Sequence, residues 1–355
     1  MGTAKKKGMV YSVNILLFVF ILFSLGAAVS LGQVEIPLKD TFRILLFKLF
    51  GMSDGGIKEL AESSLGNIIW QIRLPRAILS LLIGSGLAMC GVIMQACVQN
   101  PLADPYILGI SSGGSLGATF AILIGFQLPG FLTGAGTAFW AFLGAFGASL
   151  FVLTLAGVGS KMTSTKLVLA GMVVNALFSA FSNFIIYFAN NAEGIKSVTF
   201  WTMGSLAAAN WEKLPLITVC VGLPALFFLF QARVLNTMLL GDDTAVTLGI
   251  SLHKYRKIYL FLTSLITGVM VAGCGTIGFV GLIIPHLVRG FTGSDHKLLL
   301  PTSLLVGSAF MIWADVIARI IIPGSEVPIG IITAMVGAPL FMYMLMKKNY
   351  GFGSK

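Results

Sequence analysis

The sequence predicts an all-α polytopic membrane protein of about ten transmembrane helices, and three observations lead to this prediction. The 355-residue chain is 57% hydrophobic and only 10% charged, whereas a soluble domain carries roughly 25% charged residues. Its apolar runs are long and continuous, while the strands of a membrane barrel would alternate over about ten residues. Its 42 glycines suit closely packed membrane helices. Lipid must therefore cover much of the surface.

Ten hydrophobic segments are long enough to be spans. We place them at residues 13–32, 74–97, 107–127, 135–158, 166–189, 214–232, 257–275, 277–291, 299–321 and 329–346. The first follows a short lysine run, as a signal peptide would, but it is long enough to span and no A-x-A cleavage pattern follows it. We interpret it as a retained first helix. A break between Gly273 and Gly278 decides between ten spans and nine.

The distribution of charge predicts that both termini lie in the cytoplasm. With ten spans, the inside segments hold fourteen Lys and Arg against four acids, and the outside segments hold nine against eight. This asymmetry is what the positive-inside rule predicts. Because the net charge of +10 is spread over many short loops and forms no basic face, we do not expect nucleic-acid binding.

We expect one transmembrane domain over residues 1–355, with three longer connections. Residues 33–72 are predicted to lie outside and to contain a short amphipathic helix. Residues 190–213 are predicted to lie outside and to carry a short interfacial helix, because their aromatic stretch suits the membrane surface. Residues 233–256 form the main inside segment, in which Asp242 or Asp243 can cap a short helix.

The sequence carries no recognisable catalytic or metal site. It has no G-x-x-x-x-G-K-[ST] motif, so any ATP-driven motor must be another chain. The three histidines, His253, His286 and His296, are scattered along the chain. The four cysteines lie in apolar runs without a CxxC pair, which is typical of small buried packing residues. We therefore predict no catalytic residue and no metal ligand.

Two groups of charged residues stand near the predicted outer face. Arg73 and Arg76 flank Pro75, which is typical of a helix start, and cations there oppose the helix dipole. Such a position suggests capture of acidic groups on an external partner, with anchoring to lipid phosphates as the alternative. Asp315 and Arg319, four residues apart on one helix face, predict an ion pair, which is a structural pair in the simpler interpretation.

The fifth predicted span carries a polar stripe. Asn175, Ser179, Ser182 and Asn183 are spaced by four, three and four residues, so they share one helix face. The stripe is either the wall of a translocation path or a set of hydrogen bonds between helices. The sequence alone leaves both interpretations open.

These residues belong to motifs that, in this order, resemble the FecCD family of permeases for iron-siderophore, haem and vitamin B12 importers. The matching strings are Arg73-Leu74-Pro75-Arg76, Asn100-Pro101-Leu102-Ala103-Asp104-Pro105, Trp201-Thr202-Met203-Gly204, Gly241 to Gly249, Gly278 to His286, Ala314-Asp315 and Gly337-Ala338-Pro339. The resemblance covers residues from about 70 to 346.

The resemblance implies the architecture of a type II ABC importer: ten helices per permease, a permease dimer, two cytoplasmic ATPases and an external binding protein. It implies that the binding protein's glutamates dock on Arg73, Arg76 and Arg319. The implied ATPase-coupling residues are Gly241, Asp242, Asp243, Ala245, Leu248 and Gly249. The implied residues of the translocation path and its gate are Asn175, Ser179, Ser182, Asn183, Trp201 and Gly204.

The same resemblance implies import of a metal chelate across the inner membrane of a prokaryote. Ferric siderophore is the first choice of substrate, with haem, cobalamin and molybdate as alternatives. We expect no cofactor on this chain and ATP-Mg on the partner ATPase. The permease partner is expected to be a second copy, and a paralogue stays open. A gradient-driven carrier is the main rival class, although a single acid clearly inside a span argues against it.

Overall fold

The computed structural model is helical almost throughout its described part, residues 3–51, 56–125, 136–159 and 162–346. The helices in chain order are α1 (Thr3–Ser30), α2 (Leu38–Phe50), α3 (Ile57–Glu62), α4 (Ser64–Asn67), α5 (Leu74–Val98), α6 (Ile110–Thr119), α7 (Gly136–Gly157), α8 (Ser164–Phe188), α9 (Ala192–Thr202), α10 (Leu214–Phe230), α11 (Ala232–Met238), α12 (Asp242–Thr247), α13 (Leu252–Cys274), α14 (Val280–Thr292), α15 (His296–Ile320) and α16 (Ile329–Met346). The only bridge in these ranges is a single pair, Ile322 with Ser325.

Each of the ten predicted spans coincides with a helix of the described chain. Six are long and apolar enough to cross a membrane alone: α1, the continuous helix that contains α5, and α7, α8, α13 and α15. A seventh is the pair α10 and α11, which is bent by 70°. The other three, α6 with its π-helical extension, α14 and α16, are shorter apolar helices. Short helices are tolerated at membrane depth where protein covers their ends.

The second predicted span is corrected at its start. The sequence interpretation began this helix at Pro75, but the structure has one continuous helix of 35 residues from Ser64 to Val98. A π-helical turn, Ile68–Arg73, joins α4 to α5, and the amide of Leu74 bonds to the carbonyl of Ile69. The wider turn accommodates the proline, which cannot donate a backbone hydrogen bond. The two arginines beside Pro75 therefore lie within a helix and not at its N-terminus.

The other uncertain boundaries follow the sequence prediction. The seventh and eighth spans separate because α13 ends at Cys274 and α14 begins at Val280. The backbone turns sharply there, since Gly275 and Phe279 both have positive φ angles, of 71° and 70°. The predicted short helices are also present, α2 within residues 33–72 and α9 within residues 190–213.

Helix α5 forms the centre of the bundle. It is buried along nearly its whole length and packs against α15, α14, α13 and α10. A Cβ on Gly84 would lie 2.2 Å from the carbonyl oxygen of Gly307 in α15, and one on Gly91 would lie 1.8 Å from that of Gly281 in α14. Such close approach requires a glycine on at least one side of the contact, and small residues are how membrane helices gain packing energy without a hydrophobic driving force.

We predict that Gly84→Ala destabilises the protein, because the added methyl group collides with the α15 backbone. Overpacking costs about 1–3 kcal/mol. The matched control is Gly222→Ala in α10, where a Cβ meets no atom within 4 Å. This control is expected to be neutral or slightly stabilising, since alanine is the better helix former by about 1 kcal/mol. Thermal unfolding of the full chain in detergent measures both; equal midpoints would contradict the prediction.

Candidate functional site

Three arginines meet at the predicted outer end of the bundle. Arg73 and Arg76 lie one turn apart where the π-helical turn enters α5, and Arg319 lies near the end of α15. All three are buried, with exposed fractions of 4–5%. The structure therefore brings together the three arginines of the docking prediction, but it places them inside the protein rather than on its surface.

Two of these arginines bind the end of the first helix. Arg73 donates to the carbonyl oxygens of Val29 and Ser30 at 3.1 and 2.5 Å, and also to that of Val34. Arg319 donates to the carbonyls of Ala28 and Leu31, both at 3.0 Å. The last carbonyls of a helix lack partners within it, and its C-terminus attracts cations. Arg73 and Arg319 thus cap α1, which has no basic residue in its own last turn.

The third arginine is held by two carboxylates. Arg76 Nε lies 2.8 Å from Asp315 Oδ1, and Arg76 Nη1 lies 3.0 and 2.8 Å from the two oxygens of Glu326. The other oxygen of Asp315 lies 3.1 Å from Arg319 Nε. The predicted structural pair of Asp315 and Arg319 is confirmed, and Arg76 extends it into a network. Three cations share two acids, so the cluster keeps one excess positive charge.

A cavity of about 220 Å³ opens onto this cluster. It is lined by Gly32, Gln33, Val34, Ile68, Ile72, Arg73, Arg76, Arg319 and Glu326. Of the acids in the network, Asp315 is 1% exposed, whereas the Glu326 side chain is 43% exposed and stands at the opening. A carboxylate from outside would reach the arginines through this cavity. The docking role of the arginines stays a prediction.

The predicted gate residues lie at a junction of three segments. Gly204, just after α9, has a φ of +74°, and a Cβ there would stand 2.6 Å from the carbonyl oxygen of Thr276. Thr276 donates from its hydroxyl to the carbonyl of Thr202 at 2.5 Å. The amide of Ile329 donates to the carbonyl of Gly204 at 3.2 Å. Gly204 is therefore needed both for its backbone angle and for its closeness to the connection between α13 and α14.

Trp201 belongs to the same junction, which we call the gate junction: α9 and residues 203–205, residues 275–279, and the start of α16. The tryptophan is partly buried, and its ring stands 3.5 Å from the place where a Cβ on Gly114 of α6 would lie. A Cβ on Gly275 would lie 2.2 Å from the carbonyl of Trp201. The predicted gating by Trp201 and Gly204 stays a prediction.

Some residues of the polar stripe on α8 are packed against other helices, and others are exposed. Asn175 is half-buried and accepts a 2.7 Å hydrogen bond from the hydroxyl of Ser112 in α6. Ser182 is buried, whereas Ser179 and Asn183 are exposed. Asn175 therefore makes a bond between helices, as one of the two interpretations predicted. The two exposed residues remain available to line a path.

The predicted coupling segment folds into two short helices, α11 and α12. Gly241 and Gly249 stand on either side of α12 with φ angles of +92° and +75°, which glycine adopts without strain. Within α12 the side chain of Ala245 is buried, whereas Leu248, just after the helix, is exposed. The predicted capping by Asp242 or Asp243 concerns side chains outside the described ones. The segment presents an apolar residue to the predicted cytoplasm, and its coupling role stays a prediction.

The sequence interpretation missed a contact that holds this segment to the bundle. Asn236 in α11 donates from Nδ2 to Asp295 at 2.8 Å and accepts the backbone amide of His296 at 2.8 Å. Both partners stand at the first turn of α15, the helix that carries Asp315 and Arg319 at its other end. Asparagine at 236 gave no periodic or motif signal, so only the tertiary structure could reveal its role.

Comparisons with known proteins agree on one class. A family model described as the FecCD transport family matches residues 16–347. The chain is similar to the molybdate import system permease protein MolB of Haemophilus influenzae, at 34% identity over 96% of this chain and 96% of that protein. It is also similar to the vitamin B12 import system permease protein BtuC of Klebsiella pneumoniae, at 38% identity over 79% of this chain and 83% of that protein.

A solved structure shares the architecture. It is described as an inward-facing conformation of a metal-chelate type ABC transporter, and it matches with a TM-score of 0.80 and 32% identity. The match covers 95% of this chain and 99% of the other. The arrangement of helices described above is therefore that of a type II importer permease, as the sequence predicted.

We predict that Asp315→Asn destabilises the predicted outer end of the bundle, because it leaves Arg76 and Arg319 buried with too little negative charge. Removing one partner of a buried ion pair costs about 3–5 kcal/mol. The matched control is Glu35→Gln, which removes one charge from an exposed residue near the same face. Thermal unfolding of the full chain in detergent compares them; a loss for Asp315→Asn no larger than for the control would contradict the structural role.

Proposed function

The chain belongs to the FecCD transport family, so it is the permease subunit of an ABC importer and not an enzyme, and we propose that its solute is a ferric siderophore. ATP is hydrolysed by a separate subunit of such an importer. The permease crosses the membrane several times, and we propose that it lies in the inner membrane of a prokaryote with both termini in the cytoplasm. The positive-inside charge asymmetry supports this orientation.

The observation that carries the choice of a chelate is the chemistry of the exposed stripe on α8. Ser179 and Asn183 offer a hydroxyl and an amide, which are neutral hydrogen-bonding groups. A chelated metal has its coordination sites filled by its own ligands, so it needs no metal-binding side chain along the path. Molybdate would gain more from cations along the path, since a buried anion needs paired charge.

Haem, cobalamin and molybdate remain the competing solutes, because proteins similar to this chain carry names that include vitamin B12 and molybdate import. A gradient-driven carrier is the rival of a different class. Asp315, the acid inside a predicted span, is already held in an ion-pair network with Arg76 and Arg319. A residue in that position is poorly placed to take up and release protons during transport.

We propose that the working importer contains two permeases, two ATPases and an external binding protein. Helix α8 presents an exposed apolar face, with Leu177, Phe181 and Phe184 among its residues, which suits contact with a second copy of the chain. The exposed Leu248 beside α12 suits a groove on the ATPase. The positive arginine cluster suits a carboxylate on the binding protein.

In the proposed transport cycle, helices of the permease move as rigid units. ATP binding closes the two ATPases, which move the α12 segments held on them. Asn236 transmits that movement to α15 through Asp295 and His296. The two permeases rock around the central path, and the solute passes from the binding protein between the α8 helices. The chain performs no chemistry on its solute, and we propose that it needs no cofactor of its own.

Uptake by the reconstituted importer tests the proposal. The chain is placed in liposomes with its ATPase and external binding protein, and labelled ferric siderophore, haem, cobalamin and molybdate are offered side by side. We expect uptake of the ferric siderophore that requires both ATP and the binding protein. If haem, cobalamin or molybdate is taken up instead, the importer keeps its class and the proposed solute is wrong. Uptake that ignores ATP and follows a proton or sodium gradient would refute the ATP-driven mechanism.

We predict that Leu248→Ser reduces ATP-dependent uptake roughly tenfold, since burying a leucine in a partner contributes about 1.5–3 kcal/mol. The fold of the Leu248→Ser permease should be unchanged, because Leu248 is exposed in the permease. The control is Leu38→Ser, an equally exposed leucine in α2 on the predicted outer face. Uptake and co-purification of the ATPase are measured together. The coupling role is wrong if both variants behave alike.

A further inference from the structure

The acid at the mouth of the arginine cavity differs from the acid at its centre. Asp315 is 1% exposed and bridges Arg76 and Arg319, so no outside group can replace it without taking the network apart. Glu326 is 43% exposed and binds only the outer nitrogen of Arg76, with both oxygens within 3.0 Å. Ion pairs open to solvent contribute little net stability. Glu326 is therefore the exchangeable carboxylate of the cluster.

Exchange at this point would be electrically neutral. Arg76 is 6% exposed at its side chain and needs a negative partner on its Nη1 side. If another carboxylate enters the cavity and takes that place, Arg76 keeps its charge balance while Glu326 moves into water. The cluster's excess positive charge favours the approach of such a carboxylate.

Glu326 begins a short segment that ends at the gate junction. Residues 326–330, which we call the strap, run from the arginine cavity to the start of α16. The amides of Ile329 and Gly330 donate to the carbonyls of Gly204 and Met203 at 3.2 and 3.1 Å. A Cβ on Gly330 would lie 2.2 Å from the carbonyl of Met203, so the two backbones are in direct contact.

The strap is short, and its backbone is restrained. Glu326 and Ile329 are three residues apart, which is about 10 Å at full extension. Pro328 lies between them, and its ring fixes one backbone angle. The amide of Val327 donates to the carbonyl of Ala318 at 3.0 Å, which holds the segment beside α15. A displacement of the Glu326 backbone by more than an ångström or two would therefore strain the backbone bonds of the strap.

The turn before the strap is held firmly in place. The Nε2 of Gln33 donates to the carbonyls of Arg319 and Ile322 at 2.5 and 2.9 Å, and it lies 3.3 Å from the carbonyl oxygen of Ser325. The side-chain oxygen of Gln33 accepts the backbone amide of Gly324 at 2.9 Å. Because Gln33 holds the whole turn, a backbone shift at Glu326 would act on the strap rather than on the turn.

We propose that Glu326 is an internal stand-in for the docking partner's carboxylate: it occupies Arg76 in the free permease, and its displacement loosens the strap from Met203 and Gly204. Docking and the opening of the gate are thereby linked by five residues of backbone. The docking half of this proposal rests on the proposed function, while the link from Glu326 to the gate junction is a property of the permease alone.

The first experiment measures that link without any partner. Hydrogen–deuterium exchange is followed in the full-length permease in lipid nanodiscs, for the wild type, Glu326→Gln, Glu326→Asp and the control Glu35→Gln. Neutral hydrogen bonds are roughly half as strong as charged ones. We expect Glu326→Gln to speed exchange at the amides of Ile329, Gly330 and Ser205 by up to about fivefold. Glu326→Asp should restore much of the protection, and the control should leave it unchanged.

Ser205 is the decisive reporter. Its amide donates to the carbonyl of Cys274 at 2.8 Å, on the far side of the gate junction from the strap. Faster exchange at Ile329 without any change at Ser205 would mean that the strap loosens without moving the gate, which overturns the proposal. Equal exchange in the wild type and Glu326→Gln would overturn it as well.

The second experiment measures competition. The probe is the external binding protein that supports uptake in the reconstituted importer, and its affinity for nanodisc-held permease is compared between variants. Glu326→Gln should bind this protein several-fold more tightly, because Arg76 no longer has to exchange partners. Weaker binding would show that Glu326 itself receives the partner and would overturn the stand-in role. If no binding protein supports uptake, the proposed function fails, while the exchange experiment still decides the link to the gate.

Discussion

Three buried arginines must find their partners inside the protein, because burial separates them from water and from lipid phosphates, and this requirement shapes the predicted outer end of the bundle. Arg73 and Arg319 satisfy the last carbonyls of α1, and Asp315 holds Arg76 to Arg319. Helices α1, α5 and α15 are thereby joined by one polar network. The cavity lies beside this joint, and the strap is bonded to α15 through Val327 and Ala318.

Helix α15 connects this outer network to the predicted cytoplasmic side. Its first turn receives Asn236 from the coupling segment, and its last turns carry Asp315 and Arg319. Along its middle it packs on α5 through glycines, so the two helices are expected to move as one unit. The predicted cytoplasmic end of the bundle and its predicted outer end therefore share one helix, α15.

Much of the architecture could be predicted because each membrane helix is visible as a long apolar run in its own segment of the sequence. All ten predicted spans coincide with helices, and even the break before Val280 was visible as a cluster of glycines. The start of the second span could not be predicted. Proline at a helix start is the common pattern, and a π-helical turn that carries the helix through Pro75 depends on packing around Ile68–Arg73.

The sequence by itself determined the fold class, the spans, the residue types at the outer site and the ion pair of Asp315 with Arg319, because periodicity and spacing along one helix are local properties. Only the tertiary structure decided that the arginines are buried, that two of them cap α1 and that Glu326 occupies the third. Glu326 is 250 residues from Arg76 along the chain. A contact at that separation exists only because folding brings α5 and the end of α15 together.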